Sequence, residues 1–94
     1  MNINGTILRT LNVIRGSRCG LKSLEFLFTG RIRHTDFLES INYLSGHGYI
    51  RFLNCEHREI TKLSENDFDT TDISLSDAGI RVLRAEILDE CVEV

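Results

Sequence analysis

The chain has 94 residues, 41% hydrophobic and 27% charged, which allows one core and excludes a disordered composition. No apolar run exceeds three residues, so nothing has the length of a transmembrane helix, and MNINGTILRTL lacks the order of a secretory leader. The formal charge of −3 hides nine basic and five acidic residues up to Leu63, against two basic and nine acidic from Ser64 onward. That polarity suits a polyanion-facing side confined to the first part, and equally two ordinary solvated surfaces.

Ile3, Ile7, Leu8, Leu11 and Ile14 recur at helical spacing and predict a first helix over 3–15. Asn2 or Asn4 can cap it and Gly16 can end it, while Gly5 is a poor helix former near its start. A second helix is expected over 21–28, burying Leu21, Leu24, Leu27 and Phe28, with Gly30 as its stop. Arg31-Ile32-Arg33-His34 then forms a basic turn, in which Ile32 is expected in the core.

The stretch HTDFLESINYLSGHGYIRF, His34–Phe52, reads as an amphipathic helix, a glycine stop and a strand. Thr35 is the expected N-cap, and Asp36 complements the helix dipole. Phe37, Leu38, Ile41 and Leu44 share the inner face. Asp36, Glu39, Ser40, Asn42, Tyr43 and His47 are left for the outer one.

A strand is expected from Tyr49 to Leu53 and a returning strand from Thr71 to Leu75. The insert 54–70 is too long for a tight hairpin and is compatible with an extended hairpin, an extra strand or helical turn, or a mobile loop. A last helix, capped by Ser76, is expected to bury Ile80, Leu83, Ile87, Leu88 and Cys91.

This order of elements, an α+β single domain over 1–94, resembles the winged helix-turn-helix superfamily of small bacterial and phage regulators. It has three helices, a β-hairpin wing with a long insert and a C-terminal helix. Leu44-Ser45-Gly46-His47-Gly48-Tyr49-Ile50 looks like the family's helix-to-wing junction, and Leu75-Ser76-Asp77-Ala78-Gly79 like the start of its last helix. The resemblance implies transcription regulation through double-stranded DNA, with helix 35–47 in the major groove.

On that reading Thr35, Ser40, Asn42, Tyr43 and His47 line the reading helix. Arg31, Arg33 and His34 meet phosphate at its start, and Arg51, Arg58 and Lys62 do so from the wing. One departure stands out: the outer face carries Asp36 and Glu39 and no lysine or arginine. The alternative is a winged-helix protein–protein adaptor, a phage assembly or mobile-element accessory protein that binds no DNA.

Cys19, Cys55 and Cys91 are odd in number and widely spaced, which predicts reduced thiols and a cytoplasmic protein. Cys55-Glu56-His57 lacks the ligand set of a zinc site, and no glycine pattern matches a phosphate loop, so no metal, cofactor or catalytic residue is expected. Two readings stand for the end of the chain: a frayed terminus, or part of a homodimer contact made by helix 1 and helix 4.

Overall fold

The computed structural model describes residues 2–60, Leu63 and 67–93. Its order is α1 (Ile3–Val13), α2 (Leu21–Phe26), α3 (His34–Gly46), β1 (Ile50–Leu53), β2 (Glu59–Ile60), β3 (Asp72–Leu75) and α4 (Asp77–Leu83). The three strands form an antiparallel sheet in the order β2-β1-β3, making an α+β fold. The core unites Ile7, Leu8 and Leu11 of α1, Leu21 and Leu24 of α2, Phe37, Ile41 and Leu44 of α3, and Ile50, Phe52 and Ile73 of the sheet. No helix among the described residues is long and apolar enough to cross a membrane.

Asn2 caps α1 by accepting from the Gly5 amide at 2.7 Å. Gly5 lies inside the helix for a packing reason: a Cβ there would stand 1.8 Å from the carbonyl oxygen of Glu93. Gly5→Ala should therefore push the C-terminal segment off α1, against an intrinsic helix gain of about 1 kcal/mol. The expected signature is faster amide exchange at Val92 and Glu93 with little change in global stability.

Helix α2 is anchored at its start, where the Leu21 amide donates to Thr71 and the Ile73 amide to Cys19. It stops at Phe26, two residues before the expected end, and Leu27 is 57% exposed rather than buried. The turns that follow aim Phe28 into the core instead.

Helix α3 starts a residue earlier than expected. Arg33 occupies the cap position without a side-chain cap bond, and Thr35 is the second helical residue, not the N-cap. Phe37, Ile41 and Leu44 are fully buried, and Leu38 is half-buried.

The insert contains an extra strand. After β1 the chain turns sharply, with Asn54 Oδ1 accepting from the amides of Glu56 and Arg58, and β2 pairs Ile60 with Phe52. The chain then crosses to the far edge of β1, where β3 pairs Ile50 with Leu75.

Ser76 caps α4, its hydroxyl accepting from the Gly79 amide at 3.1 Å. A Cβ on Gly79 would lie 2.2 Å from the Tyr49 carbonyl oxygen, so this residue lets α4 sit on the start of the sheet. The helix ends at Leu83, well short of Cys91. Ala85 takes φ +60, its amide donates to Val82 and the Glu86 amide to Arg81, the bond pair of a Schellman stop.

Residues 86–93 therefore form a strap and not a helical stripe, and Leu88 and Cys91 are exposed. The strap is not a frayed end. Val92 is buried, the Cys91 carbonyl accepts from the side-chain Nδ2 of Asn2 and of Asn4, and the Glu93 carbonyl accepts from Arg9 at 2.7 Å.

A candidate nucleic-acid interface

Helix α3 lies between two flanking segments, and this decides which of its side chains remain free. On one side, Phe68 of the β2–β3 crossover packs edge-on against His34 at 5.4 Å and Phe37 at 6.4 Å. Leu38, Leu63 and Phe68 floor a groove of about 600 Å³ there, rimmed by Thr35 and Asn42. On the other side runs the C-terminal strap. Between them Thr35, Glu39, Asn42 and Gly46 are exposed at i, i+4, i+7 and i+11, a single polar stripe.

Three side chains expected on that outer face are committed elsewhere. Ser40 is buried and donates to Asn4 Oδ1 of α1. Tyr43 donates to both carboxylate oxygens of Asp89, at 2.7 and 2.9 Å, and Tyr49 donates to the same carboxylate at 2.7 Å. His47 stacks on Tyr43 with ring centroids 4.1 Å apart, and its Nδ1 lies 2.9 Å from the Tyr43 carbonyl. Helical periodicity places such residues opposite the core, but it is blind to partners that come from elsewhere in the chain, Asn4 of α1 for Ser40 and Asp89 of the strap for Tyr43.

Asp89 is the residue of this cluster that the sequence does not single out, since no local motif marks it; Asn2 and Asn4 are expected only as helix caps. The hydroxyls of Tyr49 and Tyr43 hold the Asp89 carboxyl below its ordinary range. The same bonds, with burial, push the Tyr49 phenol up to about 12 and the Tyr43 phenol higher still.

Among the described residues the expected cations lie on three different segments of the fold: the turn into α3, β1 and the β1–β2 turn. Arg33, 84% exposed, pairs with Asp36 at 3.2 Å within the same turn. His34 Nδ1 sits 2.6 Å from Glu25 Oε2. Arg31 and Arg51 are exposed and make no ion pair among the described residues. Arg51 lies opposite Ser74 on the outward side of β1. Arg58 closes the β1–β2 turn with a loose 3.8 Å contact to Glu56. Lys62 lies outside the described residues.

Cys55 and His57 are exposed on the tight turn after β1, and Cys19 is buried, its thiol pushed up by burial and by the nearby Asp72 charge. No group of three or more His, Cys, Asp or Glu among the described residues could hold a metal ion. Comparison with protein-family models, curated proteins and solved structures finds no match.

Proposed function

We propose that the chain is a winged helix-turn-helix domain that binds double-stranded DNA, with α3 as the reading helix and the β1–β2 turn as the wing. The observation that carries this reading is an exposed polar stripe on α3 that follows directly on Arg31, an exposed cation with no ion pair among the described residues; Arg51, likewise without one there, lies on the outward side of β1. Phosphates would take the places that no carboxylate fills.

The reading set is narrower than the sequence implies. Thr35 and Asn42 are the neutral readers, and Asn42 can bond adenine in two places. Glu39 selects against guanine at its position by accepting from a cytosine amino group. Ser40, Tyr43 and His47 are structural residues in this scheme. Arg33 contributes by exchanging its weak surface pair with Asp36 for phosphate. On this reading the protein is a cytoplasmic regulator that works without a catalytic step, cofactor or metal.

The double variant Arg31→Ala/Arg33→Ala should weaken binding to all duplexes and lower the salt slope by roughly 2, whereas Asn42→Ala should change sequence preference by about 1–3 kcal/mol. Gel-shift titrations on mixed duplexes measure both. A second reading, a protein–protein adaptor, is favoured by Glu39, an exposed carboxylate in mid-stripe. It predicts unchanged behaviour in those titrations because no duplex is held at all.

A further inference from the structure

The C-terminal strap borders the exposed stripe of α3. It meets the helix at Asp89, whose carboxylate accepts from the Tyr43 hydroxyl at 2.7 and 2.9 Å. It meets it again at Cys91, which shares a surface hollow of about 380 Å³ with Glu39, Ser40 and Tyr43. Glu39 belongs to the stripe, and Tyr43 stands one turn further along the same side. The strap is also acidic. Its charged residues are Glu86, Asp89, Glu90 and Glu93, and all but Asp89 are exposed. Glu90 lies between the two points of contact with α3. Charges separated by less than about 10 Å act on one another at moderate salt, so this border repels phosphate.

The strap is fastened mainly by polar contacts at the surface. Tyr43 and Tyr49 hold Asp89, and the Cys91 and Glu93 carbonyls accept from Asn2, Asn4 and Arg9 at the start of α1. Val92 is its buried apolar anchor, and Ile87 packs on the core in part. The same contacts occupy side chains of α3: Tyr43 is bonded to the strap, and His47 is stacked on Tyr43. A seated strap therefore both charges the border of the stripe and takes two polar side chains out of use.

We propose that the strap is an autoinhibitory arm, fastened to α3 through Tyr43 and Asp89, whose release strengthens the grip of α3 on a duplex. The inference rests on the duplex-binding reading above and adds its regulation. Release carries the strap's carboxylates away from phosphate and frees Tyr43 and His47. Duplex then binds the released form more tightly than the seated one, and strap seating and duplex binding oppose each other reciprocally.

The test uses the full chain, mixed-sequence duplex at fixed low salt, and amide exchange at Cys91 and Val92, whose amides bond to Asp89 in the seated strap. The double variant Tyr43→Phe/Tyr49→Phe keeps both rings and the net charge while removing the hydroxyls that fasten Asp89. Its affinity should rise at least about fivefold, with faster exchange at both amides. Glu90→Gln, at an exposed position, leaves the fastening intact and should gain about twofold with native exchange. Saturating duplex should speed the same amides in the native chain. Affinity equal to native in both variants would overturn the arm and leave the duplex reading intact. So would strap amides that exchange at the native rate in the double variant or ignore added duplex. No binding by any form would overturn the duplex reading, and the arm with it.

Discussion

Phe37→Ala should lower stability by about 3–5 kcal/mol, a large share of what a domain of this size possesses. Phe37 is fully buried and stands between two other rings, Phe28 at 6.4 Å and Phe68 at 6.4 Å. It is therefore the bolt that joins α3 to both the α2 turn and the β2–β3 crossover. Truncation leaves a cavity whose walls come from three separate segments, which cannot all collapse inward together. Urea unfolding should show a lower midpoint with an unchanged slope. A loss under about 1 kcal/mol would mean that α3 is seated by other contacts, and the placement of its outward stripe would lose its basis.

Asp89→Ala should have the second-largest effect, because one carboxylate holds the strap, α3 and the start of the sheet. Its removal leaves the largely buried Tyr49 hydroxyl without its acceptor and frees Tyr43, at a cost of about 1–3 kcal/mol. The pH dependence follows from the direction of each shift. The Asp89 carboxyl lies below its ordinary value of 3.8 in the folded chain, so its contribution is full above that value and is lost as pH falls through the lowered one. The Tyr49 phenol is raised from 10.0 to about 12, so its contribution is full below pH 10 and disappears as pH rises through about 12. Stability of the native chain should therefore decline at both extremes. In Asp89→Ala both declines should be shallower, as thermal melts across pH would show. Melts in which the variant retains the full native decline at both ends would place the clamp elsewhere.

Much of the fold is legible in the sequence because its signals are local. The apolar stripe of Ile7, Leu8 and Leu11, the Ser76 cap and the glycine stops all act within one or two turns of chain. The misreadings share a different cause. The end of α4 is set by Ala85 in a left-handed conformation, where glycine or asparagine would have announced it. The two residues of β2 are too few to show a period.

The candidate site suffered most from long-range packing. Ser40, Tyr43 and His47 have the spacing of an outer face, yet the first meets Asn4 and the other two belong to the cluster around Asp89. By contrast Thr35 and Asn42 are exposed, and Arg31 and Arg51 make no ion pair among the described residues.

The central claim is that these groups hold a duplex through phosphate, and its most direct measurement is affinity for mixed-sequence DNA across a salt series. Log affinity should fall linearly with log salt, with a slope of roughly −3 to −4 if Arg31, Arg33, Arg51 and Arg58 each displace about one counterion. Binding that is absent at low ionic strength, or that does not change with salt, would contradict the account and favour the adaptor reading.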